Sequence, residues 1–287
     1  MMLLPALAAG WRIAFLLVQA PVIGAALLLA IATVTGARWD PVARLIPLLP
    51  MALVGAAALG LTQLTTPAPP HLALWMNPIG VAVRCVLAVG LLLWTMRRLQ
   101  SRSSATGAAI LLAGYAALVT PVAFDWLLGG EPGQPVSAAG MMLAVRQVAG
   151  ATALLLVLGW GEVAFRRDMA RLMVAAALGL GYLHFMDYLI VWFGNLPDRV
   201  GFYVDRSHGV AGRLPPLALL LGWAVPIGLL AAGRAQRWAG GSTLAALFVT
   251  DCWWVGGGIV AALLAAMSIA AVALAARMLL QREALHG

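Results

Sequence analysis

Apolar runs of about 20 residues, each long enough to cross a hydrocarbon core about 30 Å thick, recur from one end of this chain to the other. Between them stand short connections whose basic residues are all arginine. A chain of this pattern cannot bury its apolar surface in one water-soluble core. It folds instead as helices that satisfy their own backbone hydrogen bonds in lipid. The composition agrees: 63% of the 287 residues are hydrophobic and 10% are charged, and the mean hydropathy is +0.97. The net charge of +8 reflects arginines placed for membrane topology rather than for nucleic acid.

The runs predict an all-α, polytopic transmembrane helix bundle of about nine spans in a single membrane domain. They fall at about 11–35, 41–64, 78–96, 106–129, 138–165, 169–194, 216–233, 242–255 and 259–280. The first is read as a retained span rather than a cleaved leader, because no basic region precedes it. Pro67, Pro69, Pro70 and Pro78 interrupt the chain before the third span. The eighth is expected to be short, with Gly256, Gly257 and Gly258 turning the chain into the ninth. Arginines concentrate in connections 1–2, 3–4, 5–6 and 7–8 and in the C-terminal tail, whereas the other side carries Arg12 and the 6–7 connection. Positive charge favours the cytoplasmic face, so the N-terminus is expected outside and the C-terminus inside.

Orientation assigns each ionisable residue within a span a rough depth, since a helix rises about 1.5 Å per residue. Arg84, Asp125, Arg146, His184, Asp187 and Asp251 all fall in the outer half. Charge in hydrocarbon is costly and is tolerated when paired or when it lines a cavity. Two readings follow: a shared polar cavity for a small molecule or protons, or a salt-bridge network that fixes the bundle. His184 and Asp187, three apart on one helical face, favour a site, with Tyr182 and Tyr188 as nearby phenols. Glu162, close to Arg166, reads as a surface pair at the inner end of the fifth span.

Motif chemistry narrows the classes. His71 and His208 lie in connections and His286 in the tail, so paired axial ligands for an intrinsic haem are not expected. Cys85 and Cys252 are too few for an iron–sulfur cluster. No phosphate-cradling glycine loop, HExxH or GxSxG pattern occurs.

The stretch HFMDYLIVWFGNLPDR (184–199) resembles the NrfD-like, polysulfide-reductase-type membrane subunits, and more closely the second such subunit of alternative complex III. Supporting pieces occur in order: TGARW (35–39), WMNP (75–78), AFDWLL (123–128), RRDMARL (166–172) and VTDCWW (249–254). At Met186 and Asp187 the chain departs from the family's Ser-Gln pair. The resemblance implies an integral subunit of a quinol-oxidising respiratory complex in a bacterial inner (cytoplasmic) membrane. Its partners would be iron–sulfur and cytochrome c subunits, a related NrfD-like subunit and the lipid bilayer. The subunit would contribute a quinone pocket or a proton pathway, with His184, Asp187, Tyr188, Arg146, Asp125, Arg84 and Asp251 as candidates and His184 with Asp187 nearest a bound quinone. The alternatives are a docking subunit without its own site and an independent small-molecule transporter.

Overall fold

The computed structural model describes residues 3–52, 55, 59, 73–102, 104–127, 134, 138–233 and 235–286. Its elements are α1 (Leu3–Thr35), a 3-10 segment (Asp40–Leu48), α2 (Pro78–Arg102), α3 (Ala105–Leu127), α4 (Ala139–Leu158), α5 (Val163–Phe193), α6 (Pro197–Asp205), α7 (Ala211–Ala231), α8 (Gln236–Val255) and α9 (Gly258–His286). No strand occurs among the described residues. Six helices there are long and apolar enough to cross a membrane: α1, α3, α4, α5, α7 and the Gly258–Met278 part of α9. Of the expected second span, residues 41–52, 55 and 59 are described, opening as the 3-10 segment, and the rest lies outside the described residues.

α1 is the central helix, with 83% of its most apolar window buried, whereas the corresponding windows of α7 and α9 are only 6% and 11% buried. The outer helices direct large side chains outward, among them Ile79, Ile110, Ile259, Leu263 and Met267. That is the arrangement expected where lipid, not protein, covers the surface. Close approach of α1 and α4 depends on glycine. A Cβ on Gly24 would run into the Gln147 carbonyl, and one on Gly150 would lie 3.0 Å from the Ala20 Cβ and 3.1 Å from the Pro21 nitrogen. Small residues at helix crossings in lipid gain contact by just this means.

Contacts fix the relative directions of the helices. Leu16 and Gln19 meet Arg146 and Gln147 in register, so α1 and α4 run parallel. Asp251 meets Arg146 while Gly240 meets Ala153 and Leu156, so α8 runs antiparallel to both. At one end of the bundle arginine-bearing segments gather: Arg44 lies 5.7 Å from the Trp160 ring, Arg166 Nη1 donates to the Gly161 carbonyl at 2.6 Å, and the Arg237 guanidinium lies against Gly159.

Several expected boundaries move. α1 begins at Leu3 rather than near residue 11, so Arg12, expected at the very start of the first span, stands within the helix and is buried. The turn between α4 and α5 is at 159–162 and not at the RRDMAR stretch. Gly159 (φ 68°) and Gly161 (φ 81°) supply the left-handed residues that end a helix. Arg166, Arg167 and Arg171 therefore stand on the first turns of α5, and Glu162 is its N-cap residue. The eighth helix is a full 20 residues, because Gln236 to Gly241 continue it where the run of apolar residues stops. The 6–7 connection contains a helix of its own, α6. Gly194 and Asn195 (φ 45°) end α5, and Pro197 opens α6 at a first-turn position that needs no amide proton. Gly256, Gly257 and Gly258, with φ of 77°, 83° and 69°, make the turn expected before the last helix.

Candidate functional site

The charged residues gather at the end of the bundle opposite the arginine-rich turns, but as two separate pairs and one cavity rather than as one shared layer. Arg84, six residues into α2, makes a two-pronged contact with Asp125 near the end of α3: Nε donates to Oδ2 at 2.7 Å and Nη2 to Oδ1 at 2.8 Å. Nη2 also donates to the Trp75 carbonyl, and the guanidinium lies 4.2 Å from the centroid of the Trp75 ring. Asn77 caps the helix by accepting from the Gly80 amide at 2.6 Å. The WMNP stretch thus stacks on the arginine and starts its helix. Asp125 is buried, whereas Arg84 is 28% exposed.

Arg146 and Asp251, on α4 and α8, form the second ion pair, with both side chains almost wholly buried. Arg146 Nε also donates to the Leu16 carbonyl at 3.4 Å. That carbonyl accepts from Gln19 Nε2 at 3.2 Å, Gln19 Oε1 accepts from Gln147 Nε2 at 2.8 Å, and Gln147 Oε1 accepts from the Tyr115 hydroxyl at 2.5 Å. A polar chain therefore runs from α8 through α4 and α1 to α3. Gln19, Gln147 and Tyr115 were not among the sequence candidates, since uncharged polar residues barely disturb an apolar run. Their burial on facing helices is what joins them.

His184 and Asp187 part company. His184 lines a cavity of about 730 Å³ between α5, α7 and α8, together with Tyr188, Tyr203, Arg206, Trp253 and Trp254, while Asp187 is buried outside that lining. Tyr182 is exposed on the outer face of α5. His184 Nδ1 stands 2.8 Å from the Leu180 carbonyl. A carbonyl can only accept, so Nδ1 carries a proton, and in the uncharged form of the ring Nε2 is the nitrogen that accepts. The ring meets Trp254 edge-on, with centroids 5.8 Å apart, and Trp254 Nε1 donates to the Leu127 carbonyl at 2.9 Å. Trp254 thus links His184 to the end of α3 that carries Asp125.

α6 closes the end of the cavity away from the arginine-rich turns. Phe202 is buried against Trp253 and Trp254, with centroids 5.6 and 5.5 Å away, and Tyr203 packs on Tyr188 at 5.3 Å. Burial, followed by the influence of the Asp187 carboxylate and Tyr188, pushes the Tyr203 phenol up, so it stays a neutral hydroxyl at physiological pH. Arg206 Nε donates to the Trp253 carbonyl at 3.0 Å, and its guanidinium lies 4.0 Å from the Phe202 ring. Tyr203 and Arg206 were also missed as site residues, because a polar connection gives no sign that it folds back over a pocket. Phe185, Tyr188 and Leu219 are exposed at the cavity's side.

No group of His, Cys, Asp and Glu able to hold a metal ion occurs among the described residues. Helix bundle, outward apolar faces and buried ion pairs together define a multi-pass, all-helical membrane protein. No family model matches the chain, and no curated protein matches it.

Proposed function

We propose that this protein is the NrfD-like integral subunit of a quinol-oxidising respiratory complex of the alternative complex III kind, and that the cavity beside His184 receives the quinol headgroup. The observation that carries this reading is the cavity itself: about 730 Å³, aromatic-walled, open at its side and holding one imidazole whose free nitrogen accepts hydrogen bonds. Its size is ordinary for a small-molecule site. Its lateral rim suits a ligand that arrives from lipid. Oxidation of the quinol releases two electrons and two protons: the electrons leave for iron–sulfur and cytochrome c partners, one hydroxyl proton passes to His184 Nε2, whose ring the Leu180 carbonyl keeps oriented, and the other is released to water at the cavity's polar end. Tyr188 and Tyr203 supply hydroxyls for the second quinol oxygen. Arg146 and Arg84, closed on Asp251 and Asp125, hold the bundle around the pocket. Nine spans, with the arginine-rich end in the cytoplasm of a bacterium, complete the reading.

The test is His184→Gln in the complex isolated from native membranes, with its subunits identified by mass spectrometry. Quinol oxidation should fall by about two orders of magnitude or more, the usual contribution of a positioned base, while iron–sulfur and cytochrome subunits still co-purify. An unchanged rate in a complete complex would overturn the quinol site and leave a docking subunit. Isolation of the chain alone, without partners, would overturn the respiratory assignment.

A further inference from the structure

The cavity is not uniform along its length. On α5 its lining extends from Ala177 to Tyr188 and on α8 from Thr243 to Trp254, a rise of about 16 Å on each helix. Polar groups stand at the outer end, where His184, Tyr188, Tyr203, Arg206 and Ser207 lie. Toward the inner end small residues line it, Ala149, Ala177, Gly181, Ala218, Gly222 and Ala246, with Trp223 beside them. The polar residues that do reach it have committed their protons. Thr243 Oγ1 donates to Ala239 at 3.1 Å and Trp223 Nε1 to Ala177 at 2.8 Å, and Thr250, further out near the level of His184, donates Oγ1 to Ala246 at 2.8 Å. A hydroxyl or indole has one proton to give, so the inner slot offers a ligand hydrocarbon surface and no donor.

The shape of that slot comes from α7. Its middle turn, Leu220–Ala224, is a π-helix, and Pro226 follows, which lacks the amide proton that would close a regular turn. The widened turn carries Trp223 across Gly181, where any Cβ would collide with the indole, and brings Gly222 opposite Ala246, where an added Cβ would lie 3.2 Å away.

We infer that the inner half of the cavity is a chain-binding slot, taking the isoprenoid or alkyl tail of the ligand whose polar head sits beside His184. This rests on the quinol reading for the identity of the head but not for the existence of the slot. Because a lipid tail is already in hydrocarbon, the slot gains little from burial; it selects by shape and directs the head outward. The residues that set tail access are Ala218, Gly222 and Ala246.

The experiment compares wild type, Ala246→Leu and Ala218→Leu, each as the full chain in lipid nanodiscs with its thermal midpoint recorded. Three probes are used: a quinol with a polyprenyl tail, the same quinol with a methyl group in its place, and a photoreactive polyprenyl alcohol with no quinol head. Either leucine should weaken the long-tailed quinol by about tenfold or more, the effect of overfilling a packed space. Binding of the tail-less quinol should stay within about twofold. Ala218→Leu, at a half-buried position, keeps the test available if Ala246→Leu lowers the midpoint. Equal loss for both quinols, or no loss for either, overturns the slot. If wild type binds neither quinol but the polyprenyl alcohol labels it and fails to label the variants, the slot stands and the quinol reading falls.

Discussion

Arg146 and Asp251 lie so deep that each makes the other tolerable, and Leu16 and Gln19 tie that pair to the central helix. Removing one partner leaves a buried charge uncompensated, which costs about 3–5 kcal/mol, whereas replacing both with apolar residues of similar volume is often neutral or stabilising. Asp251→Ala should therefore lower the thermal midpoint of the purified protein sharply, and Arg146→Met with Asp251→Leu should recover most of it. If the double variant is as unstable as the single one, the pair does more than neutralise charge. The exposed Asp168–Arg171 contact, at 4.0 Å, should be silent by the same assay. Charge was easy to see in the sequence at these positions; who pairs with whom was not, because Arg84 reaches 41 residues along the chain and Arg146 reaches 105.

Among the elements, the α1–α4 crossing is where space is least. Gly24→Ala drives a methyl into the Gln147 backbone, which cannot rotate away as a side chain could. Overpacking of this kind costs about 1–3 kcal/mol. Gly114→Ala is the matched control: nothing lies within 4 Å of its added Cβ, so on α3 it should be neutral or stabilise by up to about 1 kcal/mol through helix propensity. Thermal unfolding of the two variants in the same detergent decides it, and equal behaviour would mean that the two helices part without penalty. The boundaries of these elements were only partly legible. An apolar run reports where lipid can be, while α5 takes in the charged RRDMAR stretch from Val163 and α8 begins at Gln236; α1 also includes the apolar opening from Leu3. Helix ends here are set by left-handed glycines at 159 and 161 and by Asn195, which a hydropathy pattern does not weigh.

For the whole molecule, sidedness is the property that most affects function, since it places the cavity on one face of the membrane. With Cys85 and Cys252 replaced by alanine, Val210→Cys should react with a membrane-impermeant thiol reagent added to intact spheroplasts, and Asp40→Cys only after the membrane is opened. Reaction in the opposite order would invert the assignment and put the His184 cavity near the cytoplasm. The arginine-rich turns meet one another at the end away from the ion pairs, through Arg44, Arg166 and Arg237. That clustering gives the charge rule a structural counterpart.

The sequence by itself determined that this chain is helical and lives in a membrane, because both follow from composition and run length, which act locally. It also singled out the charged residues that cannot face lipid, since their desolvation penalty is a property of the residue. Only the tertiary structure decided that these residues form two closed pairs, that Gln19, Gln147 and Tyr115 join one of them, and that His184 turns into a cavity while Asp187 does not. It alone folded α6 back over that cavity and set Trp223 across Gly181. The reason is physical: pairing and enclosure depend on which helix faces which and at what distance. That is fixed by close packing at a few glycines and by a widened turn in α7, whose effect depends on what the neighbouring helix presents there.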